Sequence, residues 1–216
     1  MFWMLLLLLI VSLMNNIFIT VLIFSLLNAQ FFEDKDSFIV DSKLSLKDSL
    51  PSNMPVIKNI FWSENGVFRK FNLSPDNRLQ ELKLRRSMMQ WHQKIALVNL
   101  GLMSYQYYIG HNMNDDYTKR SDLHRKLGYT SFGLYMTSAG LSVFSPPALK
   151  YDKGLSAMNI HRLLSIVHFS GMLAQPWLGY KISNSCHGDY YMNLHEDVGN
   201  VVFASYLLSF ILTLIP

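Results

Sequence analysis

Four times in this chain a histidine opens an apolar run and is followed four residues later by a small side chain. WHQKIA gives His92 and Ala96, LHRKLG gives His124 and Gly128, IHRLLS gives His161 and Ser165, and LHEDVG gives His195 and Gly199. Residues four apart share one face of a helix, so each motif sets an imidazole beside a stretch of nearly bare backbone. The segment 123–146 then continues apolar for roughly the 20 residues that span a bilayer. The pattern predicts four helices, at about 89–110, 123–144, 157–180 and 194–215. Their connections are short and polar, marked by Asp115-Asp116, by Pro146-Pro147 with Lys150 and Lys153, and by Cys186-His187. Short connections make antiparallel neighbours, so the expected fold is all-α, a transmembrane up-down four-helix bundle. Asn99, Gln106, Thr130, Thr137 and Gln175 are then expected in stripes that face protein, since they are costly against lipid. Pro176 can kink its helix without ending it.

Composition agrees with one integral membrane domain. Half of the 216 residues are hydrophobic and only 16% are charged, against about 25% in a soluble domain. Residues 1–29 are rich in Leu, Ile and Val and end in Leu27-Asn28-Ala29, which reads either as a signal peptide or as an anchor helix. Residues 30–73 have no sustained period and are expected to be an extramembrane linker, with Phe61-Trp62 docked at the membrane interface. At 74–88 a helix start, Ser74-Pro75-Asp76, precedes Arg78, Lys83, Arg85 and Arg86, which predicts a basic amphipathic lead-in along the headgroups. The bundle proper is 89–216. A net charge of +4 with no dense block of Lys and Arg argues against nucleic acid as a partner. The single cysteine, Cys186, excludes an internal disulfide and a c-type haem attachment. The positive-inside tendency places the lead-in, Lys150, Lys153 and Arg162 in the cytoplasm, whereas a signal peptide exports the lead-in.

In an alternating bundle His92 and His161 lie at one rim, and His124 and His195 at the other. Paired imidazoles from facing helices suit axial ligation of a b-type haem. Ala96, Gly128, Ser165 and Gly199 would let a flat macrocycle approach the backbone. Lys94, Arg125, Lys126 and Arg162 stand at the rims, where they can pair with propionates. His168 is seven residues after His161, on nearly the same face and ~10 Å deeper. Either can be the partner of His92. His111 and His187 fall in loops and read as surface histidines. The methionines, including Met103, Met136 and Met172, read as core filler.

With WHQKIALVNLGLM, LHRKLGYTSFGLYM, IHRLLSIVHFSGM and LHEDVGNVVF in place, the chain resembles the cytochrome b561 type of membrane cytochrome. It looks more closely like the bacterial four-helix members, in which a basic segment like ELKLRRSMMQWHQ leads into the first helix. Their third helix carries a motif like HRLLSIVHFSGMLAQPWLG. The resemblance covers about 61–216. It implies a multi-pass protein of the bacterial inner membrane that holds one or two b haems and passes electrons across or at the membrane. It pairs His92 with His161 or His168, and His124 with His195. A quinone or a redox protein would be the partner, with the chain acting alone, as a homo-oligomer or as a subunit of a larger complex. Typical eukaryotic members have six spans, and no ascorbate-binding motif is present here. No GxGxxG or P-loop is present either, so the chain reads as an electron carrier rather than a stand-alone catalyst.

Two other classes compete. A non-haem membrane metalloenzyme needs clustered histidines on one face, and here they divide between two. A cofactor-free structural subunit or small transporter would also place polar residues inside its helices.

Overall fold

The computed structural model describes residues 50–113, 117–151 and 154–214. The signal or anchor segment 1–29, the linker up to 49, Asp115-Asp116 and Lys153 lie outside the described residues. The described part belongs to one compact unit, Leu50–Pro216. Two short helices, α1 (Val56–Trp62) and α2 (Val67–Lys70), precede four long ones: α3 (Arg78–His111), α4 (Tyr117–Phe144), α5 (Ala157–Asn184) and α6 (Gly188–Thr213). No strand occurs among the described residues.

The lead-in and the first bundle helix are one element. α3 runs unbroken for 34 residues, about 50 Å at 1.5 Å per residue. It begins later than Ser74: Asn77 is the N-cap, and its side chain accepts from Gln80 N–H at 2.9 Å. Gln80 in turn accepts from Asp76 N–H at 3.2 Å. This reciprocal pairing satisfies amides that a helix start otherwise leaves open. α5 is capped likewise by Ser156 and carries Pro176 in its interior.

α3 packs along α4, and α5 along α6, so the bundle is two hairpins that touch each other less than each touches itself. The core between them is Leu100, Met103, Tyr135, Met172, Val202 and Tyr206. Buried Met103 and Met172 are core filler, as expected. Thr130 and Thr137, expected to face protein, are exposed instead. Their hydroxyls bond Lys126 O and Gly133 O one turn back, each at 2.9 Å, which satisfies them without a neighbour.

Residues 50–73 are not a loose linker where they are described. They cap the C-terminal end of α4. Lys58 donates from Nζ to Ser142 O at 2.8 Å, Val143 O at 3.1 Å, and Ser145 O and Oγ. Trp62 donates from Nε1 to Phe144 O at 3.1 Å. It is 2% exposed, packed in protein rather than at a membrane interface. Arg85 reaches Pro146 O at 2.8 Å, and Arg78 reaches Pro147 O and Ala148 O at 2.8 and 3.0 Å. The last carbonyls of a helix have no partner within it and carry the negative end of its dipole. Here every carbonyl from Ser142 to Ala148 accepts from a side chain of this segment or of the first turns of α3. The basic residues at 78 and 85 therefore point into protein, and do not form the expected headgroup-facing strip.

Replacing Lys58 with Met strands those carbonyls and is expected to cost about 1–3 kcal/mol, the penalty for burying acceptors unmade. Burial, then the nearby Arg85 and Arg162, push Lys58 down to about 7. The unfolded chain keeps that proton up to the ordinary lysine value, so between the two the unfolded state binds more protons. The Lys58 contribution to stability therefore rises with pH above about 7. Denaturant melts of both proteins across that range are expected to diverge as pH rises.

No helix among the described residues is long and apolar enough to cross a membrane. Length is ample. The hydropathy is lowered by charges at the helix ends, such as Lys119, Arg120, Asp122, Arg125 and Lys126 in α4, and by hydroxyls such as Ser131 and Ser138 within it.

Candidate functional site

At the rim where α4 and α6 begin, the rings of His124 and His195 face each other, with centroids 6.1 Å apart and planes at 67°. His124 Nδ1 is 3.1 Å from Gln106 O. His195 Nδ1 is buried without a partner, while Gln175 Nε2 donates to the His195 carbonyl at 2.9 Å. Four glycines line this rim. A Cβ on Gly110 would stand 3.1 Å from the His124 ring, and one on Gly179 would stand 3.7 Å from the His195 ring. Cβ atoms on Gly128 and Gly199 would meet the amides of Gln106 at 2.9 Å and Gln175 at 3.3 Å.

At the opposite rim His92 Nδ1 is 2.9 Å from Ser138 O and also 2.9 Å from Ser138 Oγ. His161 Nδ1 is 3.0 Å from Ser209 O. A carbonyl on Nδ1 fixes the proton there and leaves Nε2 bare, the tautomer that ligates a metal.

These contacts follow an internal repeat that the histidine motifs alone do not reveal. Gln106, Ser138, Gln175 and Ser209 each lie fourteen residues after the histidine that opens their helix. In each hairpin the histidine of one helix meets the fourteenth-residue partner of the other. Aligning the hairpins on these histidines also superposes Gly110 on Gly179, Gly128 on Gly199, Met103 on Met172, Tyr135 on Tyr206, and Asn99 on His168. The signal was in the spacing, and it is recognisable once the contacts are known.

The repeat separates His168 from the rim histidines. Its Nδ1 is 2.6 Å from Tyr135 Oη, not beside a carbonyl. Its counterpart Asn99 donates from Nδ2 to Met103 Sδ at 3.4 Å, and Tyr206, the counterpart of Tyr135, donates to Ala96 O at 3.0 Å. His161, with its carbonyl-held Nδ1, is the structural equivalent of His92.

The rim cations are engaged locally. Arg125 and Lys126 bind Asp122 at 3.0 and 2.7 Å on their own helix. Arg162 donates to Asn159 at 2.6 Å and lies 5.1 Å from the Tyr151 ring. Lys94 lies 5.3 Å from the Trp91 ring. His111 and His187 are exposed, the first 3.6 Å from Glu196 and the second 3.1 Å from Cys186 Sγ. Among the described residues no cluster of three or more His, Cys, Asp or Glu is placed to hold a metal ion.

The chain matches no protein-family model, no curated protein and no solved structure.

Proposed function

We propose that the chain is a membrane electron carrier that binds b-type haem between paired histidines, His124 with His195 and His92 with His161. The observation that carries this reading is the facing His124–His195 pair, with ring centroids 6.1 Å apart beside four glycines. The haem would supply one-electron chemistry. The chain's own residues would hold the imidazoles in the ligating tautomer, as Gln106, Ser138 and Ser209 do through their carbonyls, while the amides of Gln106 and Gln175 pack on Gly128 and Gly199.

A lipid setting is supported by how the helices divide their residues. Asn99, Ser131, Ser138, His168, Ser205 and Ser209 are buried, whereas Leu163 and Ile166 are each 64% exposed. Val98, Leu173, Val201 and Leu208 are exposed as well. Without water outside, a bundle gains from turning polar groups inward. Lipid is then one partner, and a quinone or redox protein at a rim is the other.

The test is the visible spectrum and haem-to-protein ratio of the full chain purified from membranes of iron-replete cells. Two b haems per chain, with sharp bands on reduction, are expected. Colourless protein overturns the proposal.

A further inference from the structure

The short helix α1 turns its cation inward and its branched aliphatics outward. Lys58 and Trp62, four residues apart and so on one face, are both buried, whereas Val56 is 76% exposed and Ile60 54%, with Ile57 exposed between them. The inward face is pinned. Lys58 donates to Ser142 O, Val143 O and Ser145 Oγ at the end of α4, and Trp62 donates to Phe144 O. The Phe61 ring lies 5.1 Å from the Phe144 ring, centroid to centroid. The outward face is therefore fixed as well. A helix that faces water is expected to do the reverse, with its cation out and its aliphatics in.

Charge and depth both point to what covers this face. Over residues 50–90 seven Lys or Arg stand against three Asp or Glu, a surplus that suits anionic headgroups. Leu155, in the connection that Asn53 reaches at Tyr151 O, is 94% exposed at the same end of the bundle. The two rims are marked on α3 by His92, which meets Ser138 O, and by Gln106, whose carbonyl meets His124. They are fourteen residues apart, ~21 Å along the helix. A hydrocarbon core of ~30 Å centred between them ends about 5 Å beyond each rim. Phe144 is six residues past Ser138, hence ~9 Å beyond the His92 rim. α1 packs at that level, just outside the hydrocarbon edge, where an amphipathic helix buries its apolar face.

We infer that α1 is an interfacial anchor, whose Val56, Ile57 and Ile60 face lies in the boundary between headgroups and acyl chains of a bilayer that contains anionic lipid. The inference rests on the lipid setting proposed above and not on haem. It reverses the expectation for this segment, since Trp62 turns into protein and the opposite face of its helix meets lipid.

The experiment uses the full chain carrying Cys186→Ser, reconstituted in vesicles of zwitterionic and anionic lipid. Single cysteines enter by Ile57→Cys, Ile60→Cys, Glu64→Cys or Leu163→Cys, all at exposed positions, and each takes a polarity-sensitive fluorophore. The vesicles are made with and without lipid brominated in the upper acyl chain. At 57 and 60 a blue-shifted emission that brominated lipid quenches is expected. At 64, just past α1, the emission should stay that of water and unquenched. The fluorophore at 163, on the outer face of α5, should be blue-shifted and serves as the reference for the bundle. Water-like emission at 57 and 60 with quenching at 163 overturns the inference and leaves the lipid reading standing. Blue-shifted emission at 57 and 60 that brominated lipid leaves intact also overturns it, because a second copy or another part of this chain would then cover the face. Quenching at 64 equal to that at 57 and 60 overturns the assignment of the face. Absence of quenching at 163 as well as at 57 and 60 fails the underlying lipid reading instead.

Discussion

His195→Ala is expected to remove one of two haems and leave the other in place. The His195 ring is opposed by His124 at 6.1 Å, and alanine leaves that side of the site without a ligand. The change is confined to the rim where α4 and α6 begin. His92 and His161 are untouched by the substitution, so the proposed His92–His161 site keeps both imidazoles. Haem-to-protein stoichiometry should fall by about half, with helix content by circular dichroism unchanged. His161→Ala is expected to give the complementary loss, and His168→Ala none. An unaltered ratio in His195→Ala would remove this rim from the proposal.

The second large effect is expected at Glu81. Its carboxylate, 1% exposed, accepts from Arg69 at 2.6 Å and from Arg78 at 2.7 Å. Arg78 is also buried, and its other end is committed to Pro147 O and Ala148 O. Glu81→Ala leaves that guanidinium in the interior with no opposite charge, which costs about 3–5 kcal/mol when one partner of a buried pair is removed. The loss should appear as a lower denaturation midpoint in detergent. Arg69→Ala should cost much less, because the Arg69 side chain is 30% exposed and can be solvated. Equal effects from the two substitutions would show that the charge on Arg78 is not what Glu81 offsets.

Much of the bundle is legible in the residues themselves. A histidine with a small residue one turn later, opening each of four apolar runs, gives the number of long helices and the two rims. It also pairs His124 with His195 before any coordinates. The ends of helices are less legible. α3 begins at Arg78 rather than near 89 because Asn77 and Gln80 cap it, and nothing in 78–89 interrupts a helical pattern. The segment 50–73 has no period of its own because its hydrogen-bond partners are carbonyls some eighty residues later. Its order is long-range by construction, and the pairing of Lys58 with the Ser145 hydroxyl and carbonyl has no local signature. Arg78 and Glu81 read as a charged helix face for the same reason: their burial depends on where Pro147 and Ala148 come to lie.

The sequence by itself determined that this chain is helical, that it carries four rim histidines beside small residues, and which rim each occupies. Those facts depend on spacing along single helices, where 3.6 residues per turn does the arithmetic. Only the tertiary structure shows that His161 and His168 have different surroundings. Both lie on nearly one face of α5, so the period cannot separate them. What separates them is the neighbour each imidazole meets: a backbone carbonyl of α6 for His161, and the hydroxyl of Tyr135 on α4 for His168.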